Sequence, residues 1–165
     1  MLIRDSLRRL LQLQIGALIT DFVTGRAAIG EYRRIGLPPL FFLPLHALEV
    51  RNAILQRAFH ERRSLPSGAR QHIARERDAA FDRIECSLSR RTLLDVALDL
   101  DAVIGQAIEL ATAHTERLGA RAIDLLHVAG ALARESEAFL ATDDRQAQLA
   151  KAEGLKVRVF TESSG

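Results

Sequence analysis

The sequence predicts an α/β protein built on a parallel sheet. Three observations lead there. First, residues 137–142 are a short apolar run, a helical stretch follows and ends at Gly154, and residues 155–160 alternate as Leu, Lys, Val, Arg, Val, Phe. Strand, helix and strand at that spacing make a parallel βαβ unit. Second, Gly119 stands just past residues with helical periodicity, where a left-handed terminator is expected. Third, Asp124 and Asp143 fall at a helix start and a strand end, nineteen residues apart. In an open parallel sheet those positions converge on one edge, where ligands bind.

The elements read as follows. Leu7, Leu10, Leu11, Gln14, Leu18 and Phe22 follow helical spacing and suggest an amphipathic helix after Asp5 and Ser6, broken by Gly25, Gly30 and Gly36. Arg4, Arg8 and Arg9 before a leucine-rich run faintly resemble a signal peptide, but Asp5, Gln12, Gln14 and Asp21 interrupt it, so export is not expected. Residues 37–44 are an apolar run bounded by prolines, which suits a short buried strand. Residues 45–63 read as a helix, with Leu48, Asn52, Leu55 and Phe59 recurring every three or four positions. The run from Ser64 through Pro66 to Gly68 ends it and caps a second helix over 69–87, whose Arg and Glu positions mark a solvated face. Residues 92–100 are apolar and β-tolerant. Asp101 is placed to cap a helix over 102–118, and of Asp95, Asp99 and Asp101 one is read as a cap and two as surface positions. A helix over 124–134 follows, and either Asp143 or Asp144 caps the last one.

A chain of 165 residues with 48% apolar content predicts one domain, residues 1–165, with residues 6–35 fitting worst. A net charge of +2 does not announce a nucleic-acid binder by bulk charge. The 21 Arg against 2 Lys suit bidentate phosphate contacts, though a GC-rich genome gives the same bias. A single cysteine, Cys86, excludes an internal disulfide and fits a reducing, cytoplasmic setting. No stretch of eighteen clean apolar residues is present, so no membrane helix is expected.

The acidic residues carry the chemistry. A carboxylate at a helix N-terminus lies in the positive end of the macrodipole and stays ionised. Two such carboxylates together demand a cation between them. Asp124 and Asp143 can each also serve simply as helix caps. Glu49 lies one turn into an apolar helix, beside Leu48 and Val50, and there it needs a partner. Oxygen-only ligands select Mg²⁺ or Mn²⁺ over zinc, and such a cluster suits metal-assisted phosphodiester hydrolysis. The five histidines form no metal set by spacing, and Cys86 has no evident partner. No Walker loop, dinucleotide-binding glycine motif or nucleophile elbow occurs.

These residues resemble a known family. His114 and Thr115, Leu118 and Gly119, the run Arg121 to Ala129 through Asp124 and His127, Phe139 and Leu140, Asp143, Arg145 and Gln146, Leu149 and Ala150, and Gly154 to Val157 are similar to the C-terminal half of PIN-domain proteins. The subgroup is the VapC-type toxins of bacterial toxin–antitoxin pairs. Leu45 to Ala53, around Glu49, resembles the segment holding that family's second acid. The resemblance covers about residues 37–160. It implies a three-layer α/β/α sandwich with a central parallel sheet and an atypical N-terminal segment. It also implies Mg²⁺- or Mn²⁺-dependent endoribonuclease activity, a homodimer, and a small antitoxin partner. Glu49, Asp124 and Asp143 match the second, third and fourth acids. Ala141 replaces the threonine usual two residues before the fourth, with Thr142 displaced by one and Asp144 beside Asp143. Asp5 is placed to be the first acid, with residues 2–4 as the central strand, but Leu7 stands where a small polar residue is usual. Catalysis and metal binding are thus assigned to Asp5, Glu49, Asp124 and Asp143, with Asn52 and Arg121 as supports.

Two other readings stand beside this one. A catalytically degenerate binding module of the same kind would lack a complete metal site. A receiver or phosphatase would need a nucleophilic Asp just after the first strand with a Lys or Thr/Ser nearby, and the only lysines, Lys151 and Lys156, come late.

Overall fold

The computed structural model describes residues 11–13, 40–136, 138–141 and 143–159. Among them the order is β1 (Leu11–Leu13), β2 (Leu40–Phe42), α1 (Pro44–Ser64), a 3₁₀ turn (Ser67–Ala69), α2 (Arg70–Ser89), β3 (Leu93–Asp95), α3 (Leu100–Leu118), α4 (Ala122–Ala133), β4 (Ala138–Ala141), α5 (Asp144–Ala152) and β5 (Lys156–Val159).

Local chemistry sets most boundaries. Pro44 opens α1, where a missing N–H costs nothing and the fixed φ suits a helix. Leu65 is extended ahead of Pro66, as a residue before proline prefers, and α1 stops there. Asp99, not Asp101, caps α3, its carboxylate accepting from the Ala102 N–H at 3.1 Å. Gly119 ends α3 with φ +62°, and Gly154 follows α5 with φ +80°, a conformation that costs glycine little. Asp143 rather than Asp144 caps α5, accepting from the Arg145 and Gln146 N–H groups at 2.9 and 3.2 Å.

The strands are short. β2 pairs parallel with β3 and β4 pairs parallel with β5. The three residues of β1 run parallel between β2 and β4, giving the order β3-β2-β1-β4-β5. The parallel pairing of the last strand with residues 138–141 agrees with the sequence. β4 is buried on both sides, as its apolar run suggests. Ala138 and Leu140 point into a core formed with Val50 and Ile54 of α1 and Ala80 and Ile84 of α2. Phe139 and Ala141 point the other way, against Val103 and Leu110 of α3, Val128 of α4 and Leu149 of α5.

The expectation of a three-layer sandwich organised around a central parallel sheet needs correction. The described residues are mostly helical: five helices of 9 to 21 residues against strands of three or four. Two small parallel ribbons, joined by three residues, form a seam between helical layers and do not dominate the body. The reason is local. Asp99 starts α3 inside the apolar stretch 92–100, and Pro44 starts α1 inside 37–44, so helices take residues that the apolar runs lend to strands. The N-terminal helix also needs correction at Leu11–Leu13, where the backbone is a strand. The rest of that helix lies outside the described residues.

Among the described residues no helix is long and apolar enough to cross a membrane.

Candidate acidic site

Topology brings three of the four acids to one edge. α1 follows β2 and α5 follows β4, so both helices start where parallel strands end. α4 precedes β4 and runs back against it, which returns the α4 N-terminus to the same edge.

Asp124 is the third residue of α4 and only 8% exposed. Its Oδ2 accepts from the backbone N–H of Arg121 at 3.0 Å, so it does cap its helix. Its Oδ1 accepts from the side-chain amide of Gln146 at 3.2 Å. Among the described residues it has no ion-pair partner. Asp143 is 40% exposed at its side chain, binds the Arg145 and Gln146 N–H groups, and lies 3.8 Å from Arg145 Nε. Gln146 therefore touches both acids, its backbone on Asp143 and its side chain on Asp124. It is 1% exposed, and its Oε1 is buried without a hydrogen-bond partner.

Glu49 meets its partner on α4. Its Oε2 accepts from His127 Nε2 at 2.6 Å, and the carboxylate keeps 25% exposure. His127 lies three residues after Asp124, on the same face of α4. Its ring stacks on His46 of α1, with centroids 5.1 Å apart. His46 is buried, and its Nδ1 accepts from the Leu43 N–H at 3.2 Å. Burial pushes the His46 pKa down to about 3, helped by the neighbouring His127 and opposed by the Phe41 backbone. His46 is thus a neutral wedge under the Glu49–His127 contact.

The remaining assigned residues fare differently. Asp5 lies outside the described residues. The strand standing between β2 and β4 is Leu11–Leu13, not residues 2–4, so Asp5 precedes the central strand in sequence instead of following it. Asn52 is exposed on α1, and Arg121 contributes its backbone N–H to Asp124 while the residue itself is exposed. His127, Gln146 and His46 carry contacts that sequence reasoning gave no role. The available signals were the helical spacing of His127 from Asp124 and the position of Gln146 three residues into a capped helix.

Chemically, the edge offers a nearly buried carboxylate with no basic partner among the described residues, and on the group that binds it an amide oxygen with no hydrogen-bond partner among them. Both are hard oxygen donors, the kind Mg²⁺ prefers. Among the described residues no group of three or more His, Cys, Asp or Glu side chains is placed to hold a metal. Asp124 and Asp143 are the side chains of this edge that could hold a cation, with water completing its shell.

Compared with known proteins, the chain matches no family model and no curated protein.

Proposed function

We propose that this protein is a Mg²⁺- or Mn²⁺-dependent endoribonuclease whose centre is the edge formed by Asp124, Asp143 and Glu49. The carrying observation is the nearly buried Asp124 carboxylate, which has no ion-pair partner among the described residues and is joined through Gln146 to Asp143. A buried carboxylate without a counter-charge is expensive, and a cation offsets that cost. The resemblance of the Asp124 and Glu49 segments to VapC-type nucleases supports the same reading. It extends the reading to a toxin held by a small antitoxin and acting as a homodimer in the cytoplasm.

In this reading Asp124 and Asp143 hold the cation, which supplies an activated water and neutralises charge on the phosphate. Gln146 fixes the Asp124 carboxylate in one orientation. His127 holds Glu49 at the rim, where its exposed part can receive a proton from water. RNA cleavage by the purified chain, with and without chelator, tests the reading.

One observation favours a second reading, a degenerate binding module. Each acid already has a partner within the protein: Asp124 with Arg121 and Gln146, Asp143 with the start of α5, Glu49 with His127. Calorimetry with Mg²⁺ separates the two, since the module binds no ion at this edge.

A further inference from the structure

α1 buries His46, Val50, Ile54 and Ala58, and leaves Leu48, Leu55 and Phe59 exposed. Those three follow the seven- and four-residue steps of a single helix face. The ridge begins beside Glu49 and ends about 16 Å away, at 1.5 Å per residue, near the tip of the α1–α2 hairpin.

The tip is basic and aromatic. Phe59 is 52% exposed. The His60 ring stands edge-on to it at 5.4 Å, and the Arg63 guanidinium lies 5.5 Å from its centroid. Arg62, Arg70 and Arg75 are exposed and have no ion-pair partner among the described residues. From Phe59 to Arg75 four arginines face one carboxylate, Glu61, which Arg57 holds at 2.7 Å. Glu61 and Glu76 line the groove between α1 and α2 together with Arg57 and Arg77. Glu61 and Glu76 therefore share that groove with two arginines. A chain of net charge +2 thus concentrates positive charge at this end.

We propose that the ridge and tip bind single-stranded nucleic acid, with Phe59 as a base-stacking platform and Arg62, Arg63 and Arg70 as phosphate contacts. An exposed aromatic ring flanked by arginines is the combination that single strands need. Every base has a face to stack, and every linkage a charge to neutralise. A protein partner would gain from Leu48, Leu55 and Phe59 but would have to desolvate the unpaired arginines beside them. The inference rests on the ribonuclease reading for its direction, a strand running from the acidic edge along α1 to the tip.

The test uses the full chain in chelator with fluorescein-labelled 12-nucleotide thymidine single strands and a duplex of equal length, read by anisotropy. The single strand is expected to bind more tightly than the duplex. Phe59→Ala is expected to weaken single-strand binding about tenfold, from the usual worth of a stacked base, and Phe59→Trp to restore it. Arg62→Ala and Arg63→Ala should each lower the slope of log affinity against log salt by about 0.7. Phe59 is half exposed, so these variants keep the fold, which circular dichroism checks. No binding by the unaltered chain, or unchanged affinity in Phe59→Ala, overturns the proposal. Loss of self-association in Phe59→Ala with single-strand affinity intact assigns the ridge to a protein contact and also overturns it. Because the probe is DNA and no metal is present, binding without RNA cleavage would sink the nuclease reading and leave this one standing.

Discussion

Gln146 donates its side-chain amide to Asp124 across 3.2 Å, joining residues twenty-two apart in sequence at the starts of two helices. The same residue gives its backbone N–H to Asp143. One buried residue thereby touches both carboxylates, Asp124 through its side chain and Asp143 through its backbone. Gln146→Leu leaves Asp124 Oδ1 short of a donor in a nearly buried place. It should cost about 1–3 kcal/mol, seen as a lower urea midpoint with unchanged slope. An unaltered midpoint would show that the amide contributes nothing to holding Asp124.

Asp143 has two roles that substitution can separate. Asp143→Ala removes the α5 cap and should destabilise by about 1 kcal/mol. Asp143→Asn keeps an acceptor for the Arg145 and Gln146 N–H groups and should leave stability nearly intact. Both should abolish RNA cleavage. Full cleavage by the stable Asn variant would leave Asp143 as a cap alone.

Glu49 and His127 should be energetically coupled. A cycle of Glu49→Ala, His127→Phe and the double variant should give a coupling energy of about 1.5–3 kcal/mol, the range for a hydrogen bond to a charged group. The Phe ring keeps a flat surface against His46 while losing the donor. Additive single effects in urea unfolding would show that the 2.6 Å contact is worthless.

His46 makes stability depend on pH. Its pKa is about 3 in the fold against about 6.5 in the unfolded chain. Between those values the unfolded chain binds a proton that the native one does not. Its contribution is therefore full above pH 6.5 and is lost as pH falls toward 3, by at most about 1.4 kcal/mol per unit. His46→Gln removes that loss. Urea midpoints at pH 7.5 and 5.0 should fall further for the unaltered protein than for the variant. Equal falls would contradict the assignment.

The order of elements was legible because punctuation is local. Pro44, Pro66, Asp143, Gly119 and Gly154 act on their own neighbours, and most boundaries follow from them; the cap at Asp99 was instead read at Asp101. The buried face of α1 was not legible. Leu48, Leu55 and Phe59 recur at helical spacing, yet Val50, Ile54 and Ala58 on the adjoining stripe are the buried residues, with Val50 and Ile54 packing against α2 and the strands. Helical periodicity marks a stripe but does not say which of two adjoining stripes the rest of the chain covers. The balance of helix over sheet was misread for a related reason, since short apolar runs do not reveal how many residues a cap will claim. At the acidic edge, Asp124 and Asp143 were singled out by their end positions and Glu49 by its place in an apolar helix. Their partners were missed because the histidines were judged by spacing from one another, while His127 finds Glu49 seventy-eight residues away.

RNA cleavage by Asp124→Asn, beside the unaltered protein in Mg²⁺, tests the central claim most directly. Asparagine keeps an acceptor for the Arg121 N–H, and its NH2 can donate to Gln146 Oε1 once that amide turns over, but it removes the charge that a cation needs. The account predicts Mg²⁺-dependent cleavage by the unaltered chain, loss of at least about a hundredfold in the variant at unchanged thermal midpoint, and none with chelator. Undiminished cleavage by a folded Asp124→Asn protein, or none by the unaltered chain, would contradict it.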